Sequence, residues 1–259
     1  VARRAGRGGF GIVKGVNEPD PPGRRHRLPT RHGGWRRALG CVALGCVLTA
    51  CGSTVPGRPT ADPSTPKNRH IGTALATLLP KQDQFPSPYA AVVPPAEQAA
   101  HIAGDLSGIP PGATVDPADC APPKRPTGAD TSAVVVGTDA ATRTTITVLL
   151  TRVDTPLSAV RQQAQGCGTV HVRRGPITDT VATQPDPAPP VRADDTFALR
   201  RTVTGPATGP GLARSMRTLL AQVGDVRIEV TAMSYGDGPS DPAALDQVFV
   251  AAVEDVRGG

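Results

Sequence analysis

Large aromatic side chains are scarce: the 259 residues include one Trp, two Tyr and four Phe. A core must come from Val, Leu, Ile and Ala, with Phe85, Tyr89, Phe197, Tyr235 and Phe249 as its large rings. Apolar runs of membrane-spanning length are missing as well. The stretch from Ala38 to Ala50 has 13 residues, against the roughly 20 that a spanning helix needs. Also absent are the G-x-S-x-G, H-E-x-x-H, C-x-x-C, Gly-rich phosphate-loop and EF-hand patterns. Ser64-Thr65-Pro66-Lys67 fits S-x-x-K in letters only, because Pro66 in a flexible segment cannot hold Lys67 one helical turn from Ser64. His70, His101 and His171 are isolated from one another. No catalytic residue, metal site or cofactor is assigned, and the chain is not read as an enzyme.

Charge of one sign is present, but unevenly. Ten of the 28 Lys and Arg residues lie in residues 1–50, with only Glu18 and Asp20 opposing them. The remainder has eighteen basic and twenty acidic residues. It is therefore nearly neutral, and the whole-chain excess of basic residues gives no support for nucleic-acid binding.

The basic leader runs into Arg36-Arg37, the short apolar run, and then Leu48-Thr49-Ala50-Cys51-Gly52. This arrangement resembles the signal and lipobox of bacterial lipoproteins. The resemblance implies that Cys51 takes a diacylglyceryl group and becomes the first residue of the mature chain. An anchor of two or three acyl chains holds where a single one is marginal. Val1 in place of an initiator Met fits a valine start codon read literally, and a start at Leu28 would leave a signal of ordinary length. Residues 51–70 are rich in Pro, Ser and Thr and read as a flexible tether. With Cys41 and Cys46 in the signal and Cys51 acylated, Cys120 and Cys167 remain, and one disulfide is the simplest use of them.

Residues 71–259 are enough for one core. Pro95 to Leu106 reads as a helix with Ala99, Ile102, Ala103 and Leu106 on one side. Ile109 to Asp130 reads as a loop. Ser132–Thr138 and Arg143–Arg152 then read as strands, and Thr155 as the cap of a helix from Pro156 to Gly166. Five further strands follow: Thr169–Arg174, Ile177–Thr183, Thr196–Val203, Ser215–Val223 and Val226–Met233. In the last, Val226, Ile228, Val230 and Ala232 alternate with Arg227, Glu229 and Thr231, which predicts one buried and one wet face. Asp241-Pro242 opens a final helix with Leu245, Val248, Phe249, Ala252, Val253 and Val256 on its inner side. The expected fold is α+β: an antiparallel sheet of about six or seven strands, two or three flanking helices and one disulfide.

Two arginines break the pattern. Arg201 shares strand parity with Phe197, Leu199 and Val203, and Arg174 with Val170 and Val172. A cation on an apolar face is costly unless it is paired or opens onto a cleft. Arg174 and Arg201 are thus the candidate ligand-binding residues, for a carboxylate or phosphate group.

Four stretches carry a wider resemblance: Phe85-Pro86-Ser87-Pro88-Tyr89, Asp119-Cys120-Ala121-Pro122-Pro123, Gly166-Cys167, and Arg227-Ile228-Glu229-Val230-Thr231-Ala232. Over about residues 72–257 the domain resembles small envelope lipoproteins of mycobacteria and other actinobacteria, and the extracellular sensor domains of PknH-type Ser/Thr kinases. It departs from the kinase sensors in having no second cysteine pair and no Trp in the domain. The resemblance implies a sheet with flanking helices, a cleft, and a binding or sensing role without catalytic residues. The expected location is the outer face of the cell membrane, with the membrane and a small envelope ligand as partners. An accessory subunit of an envelope transport or wall-assembly complex is the alternative, and a hydrolase comes third.

Overall fold

The computed structural model describes residues 69–126, 128–206, 213–236 and 241–259. The leader, the box at Cys51 and most of the tether lie outside them.

Among the described residues there are nine strands: β1 (Ala90–Val92), β2 (Thr114–Asp116), β3 (Ser132–Asp139), β4 (Thr144–Arg152), β5 (Thr169–Arg174), β6 (Ile177–Asp186), β7 (Asp195–Thr204), β8 (Arg214–Val223) and β9 (Val226–Tyr235). Three α-helices accompany them: α1 (Ala96–Asp105), α2 (Leu157–Gly166) and α3 (Pro242–Gly258). The strands form one sheet in the order β1-β3-β4-β9-β8-β7-β6-β5-β2. Every neighbouring pair is antiparallel. The architecture is the expected α+β one, with two more strands than the upper expectation of seven. β1 and β2 are three-residue edge strands that stop beside Pro94 and Pro117, too short to show a period.

Two other boundaries differ from expectation. β6 continues through Gln184, Pro185 and Asp186, which pair with β7. Pro185 is tolerated because β5 ends opposite Ala182, so β6 has a free outer edge there. Thr155 does not cap α2. Pro156 occupies the cap position without a side-chain bond, and the Thr155 carbonyl accepts from Arg227 Nη2 at 2.6 Å.

One face of the sheet carries α3. Asp241 caps this helix by accepting from Ala244 N at 2.9 Å. Its apolar stripe, with Leu245, Val248, Phe249, Ala252, Val253 and Val256 buried, meets Val148, Leu150, Leu219, Ile228 and Val230. Each such side chain contributes about 2 kcal/mol of transfer free energy. The segment Ile71–Tyr89 covers the rest of this face, burying Ile71, Leu75, Leu78, Phe85 and Tyr89. Asp225 fastens its start, accepting from Ile71 N at 2.9 Å and Arg152 Nη1 at 3.0 Å. The β8–β9 turn can pass beneath that segment only because residue 224 is Gly: its φ is +57°, and a Cβ there would run into the Arg69 carbonyl oxygen. Tyr235, expected in the core, is 51% exposed at the end of β9.

The other face is covered too, so β9 does not have the expected wet side: Glu229 and Thr231 are buried. The reason is topological. β1 and β2 lie on opposite edges, so the chain crosses this face in α1, returns across it in 117–131 to reach β3, and crosses again in α2 to reach β5. Helix α1 packs Ala103 and Leu106 on Val134 and Leu149, and α2 packs Leu157 and Ala164 on Phe197, Leu199 and Leu220. The return segment is stapled to the end of α2 by the Cys120–Cys167 disulfide, S–S 2.04 Å. No helix among the described residues is long and apolar enough to cross a membrane.

Candidate functional site

Cross-strand register lines up Val134, Leu149, Glu229, Leu220 and Phe197 in one row across five strands. Helix α1 covers the first two and α2 the last two, which leaves Glu229 in the gap between the helices. The return segment bridges that gap. Arg125 on it reaches down to Glu229 with two bonds, Nη1 to Oε2 at 2.8 Å and Nη2 to Oε1 at 3.3 Å. Beside this pair opens a cleft of about 350 Å³, reached also by Ser107, Leu199, Arg201, Leu220 and Arg227.

The charge balance in the cleft is positive. Lys124, Arg125, Arg152, Arg201 and Arg227 face Asp154 and Glu229. Burial works to raise the Glu229 pKa; the Arg125 guanidinium, its hydrogen bonds, and Arg201 and Arg227 behind it outweigh burial and hold the carboxyl below the ordinary range. Glu229 is therefore a fixed anion. The same carboxylate raises the pKa of Arg125. Burial lowers those of Arg201 and Arg227; Glu229 opposes the shift and Arg125 adds to it.

The three arginines differ in how many donors they have spent. Arg125 is engaged bidentately with Glu229. Arg227 gives Nη2 to the Thr155 carbonyl at 2.6 Å and to Gln222 Oε1 at 3.3 Å, while its Nε is buried without a partner. Half-buried Arg201 makes one hydrogen bond to a described residue, a long one of 3.4 Å to the Leu106 carbonyl. Thr218 on the floor and its cross-strand neighbour Thr231, both fully buried, bond each other at 3.0 Å. The half-buried guanidinium of Arg201 thus faces a partly apolar cleft with donors to spare, an arrangement that can hold an anion.

A second cavity, of about 260 Å³, lies on the α3 face near Tyr89, Ser215, Ser234 and Asp241. Two of its three lining arginines are paired, Arg200 with Asp186 at 2.9 Å and Arg217 with Asp186 at 3.6 Å, and the third, Arg201, is shared with the cleft under the return segment. The cleft under the return segment adds Lys124, Arg125, Arg152 and Arg227 to Arg201, and that concentration of cations singles it out.

Of the arginines expected from the sequence, Arg201 lines the cleft and Arg174 does not. Arg174 pairs with Ile177 at the β5–β6 turn and is exposed, because the strand ends where its parity would have turned it inward. The structure does not bring the two together. Cys120 and Cys167 are joined as expected. Cys51 lies outside the described residues. Among those residues, no three or more His, Cys, Asp or Glu cluster so as to hold a metal ion. Arg125, Arg227 and Glu229 were not legible as site residues: the first sits in an apparent loop and the other two on an apparent wet face. A signal was available in β4, where Leu149 is apolar between Val148 and Leu150 and needs a cover on the second face.

No protein-family model and no curated protein matches the chain. Among the solved structures similar to it are two mycobacterial proteins. An uncharacterized protein from Mycobacterium smegmatis is 16% identical over 73% of this chain and 100% of its own, with a TM-score of 0.43. The extracellular domain of PknH from Mycobacterium tuberculosis is 15% identical with a TM-score of 0.34, and the match spans 49% of this chain and 64% of that domain.

Proposed function

We propose that this chain is a lipid-anchored, non-catalytic protein of the cell envelope whose domain binds a small anionic ligand in the cleft between α1 and α2. The observation that carries the reading is Arg201, which lines the cleft with one long hydrogen bond beside an Arg125–Glu229 pair that already satisfies itself. A purely structural arginine would be bonded more fully, because one long hydrogen bond does little to offset the burial of its charge. Glu229, held ionised and doubly bonded, is a poor proton carrier, which favours binding over catalysis. The lipobox at Cys51 and the tether behind it support attachment to the outer face of the membrane.

Native mass spectrometry of the full chain, extracted gently from a mycobacterial host, tests the binding role. The reading expects a reproducible adduct that denaturation removes. Bare protein at the mass of the disulfide form would count against it.

A further inference from the structure

β1 ends the strand order, so its outer edge has no strand beside it among the described residues. Such an edge is a template for pairing with another chain. It is apolar as well: Val92 and Val93 are 64% and 62% exposed, the most exposed large apolar side chains among the described residues. Its hydrogen-bonding groups are nonetheless taken. Gln82 Oε1 accepts from Ala91 N at 2.5 Å, and Gln82 Nε2 donates to the Tyr89 carbonyl at 3.1 Å. An amide that donates to one residue and accepts from the residue two places on does what a residue of an added parallel strand would do. We infer that the Gln82 carboxamide guards this edge against pairing with a second copy of the chain.

The first argument is how the guard is placed. Gln82 is exposed, and the short turn that carries it, Gln82–Gln84, is tied to α3. Gln84 Nε2 donates to Asp255 Oδ2 at 3.0 Å, and the Gln84 carbonyl accepts from Gln247 Nε2 at 3.3 Å. Phe85, just after the turn, is buried over Gly137, the β3 residue that pairs with Ala91. A Cβ on Gly137 would lie 2.5 Å from the nearest atom of the Phe85 ring. The fold thus keeps room for the turn to close over β1 and brings the amide to the edge.

The second argument is symmetry. Two copies could lay their β1 edges antiparallel about Ala91, with Ala91 N donating to the Ala91 carbonyl of the other copy and Val93 N to its Tyr89 carbonyl. Tyr89 N is already spent on the Pro86 carbonyl at 3.0 Å. Each bond of that pairing therefore needs either Ala91 N or the Tyr89 carbonyl, the two groups that Gln82 holds. Beyond Val93, Pro94 and Pro95 have no N–H with which to extend the ladder. One carboxamide is enough to close the edge. A second copy is the partner excluded, because the pairing is two-fold symmetric and would cover Val92 and Val93 of both copies.

The experiment is sedimentation velocity over a range of concentrations. The parent is the full chain carrying Cys51→Ser, compared with the same chain carrying Gln82→Ala and with the one carrying Gln82→Ala and Ala91→Pro. Proline at 91 removes the outward N–H and spares the bonds of β1 to β3, which fall on Ala90 and Val92. Gln82→Ala is expected to dimerise at least about tenfold more tightly than the parent, with the same far-ultraviolet circular dichroism. Adding Ala91→Pro is expected to restore the behaviour of the parent. Hydrogen exchange reads the edge without any substitution at it: the Ala91 amide is expected to be protected in the monomeric parent, exposed in dilute Gln82→Ala, and protected again where that variant dimerises. Equal association of the parent and Gln82→Ala would overturn the inference, and so would association that survives Ala91→Pro, since the contact would then lie elsewhere. An Ala91 amide that exchanges freely in the parent would overturn it whatever the variants do.

Discussion

Glu229 and its three arginines set the energetics of the cleft, and each arginine has a different expected cost of removal. The Glu229 pKa is held down in the folded state, so the pair contributes stability that is fully present above the unfolded value of about 4.3 and is lost as pH falls through the folded one. Arg125→Ala leaves Glu229 buried without its two bonds and is expected to cost about 3 kcal/mol in urea unfolding at neutral pH. That deficit should shrink as pH falls toward 4, because the stranded carboxyl then protonates more easily than in the parent. An unchanged deficit at pH 4 and pH 7 would mean that the ion pair is not what Arg125 contributes. Arg201 behaves oppositely. Burial disfavours its charge and it gains one long bond in return, so Arg201→Met is expected to leave the unliganded chain as stable as the parent or more so, by on the order of 1 kcal/mol. A melting temperature several degrees lower would show that Arg201 is a structural cation instead of a ligand-facing one.

Among the elements, the return segment matters most, because it is fixed at one end by Cys120–Cys167 and at the other by Arg125 on Glu229. The disulfide spans 47 residues, for which the chain-entropy model gives about 4 kcal/mol of stabilisation. Replacing both cysteines by Ser is expected to lower unfolding stability on that scale and to speed trypsin cleavage after Lys124, with the sheet intact by circular dichroism. Equal cleavage rates in the two forms would show that the staple does not hold this segment down. The elements were unequally readable in the sequence. Helix α3 was fully legible, because Leu245 to Val256 repeats at helical spacing and one stripe can bury on one face. β9 was legible as a strand but not for its surroundings: alternation of Ile228 and Val230 with Glu229 and Thr231 says that the two faces differ, not that one of them is dry. What buries Glu229 is a pair of crossovers imposed by β1 and β2, three-residue strands with no readable period. Arg201 could be found because it breaks a local pattern. Arg125 breaks none, and its role depends on a contact 104 residues away.

Taken whole, the chain is expected to hang a nearly neutral domain from a lipid through a Pro- and Thr-rich tether. Cys51→Ser is expected to move the chain from the membrane fraction to the soluble one and to abolish labelling by radioactive palmitate; retention and labelling without Cys51 would refute the anchor. The central claim is that the cleft under the return segment holds an anion through Arg201. Its most direct test compares the difference between native and denatured mass for the parent, Arg201→Met and Arg174→Met, each purified as the full chain from the same mycobacterial host. The account predicts an adduct on the parent and on Arg174→Met that is missing from Arg201→Met. An adduct retained in full by Arg201→Met would contradict it.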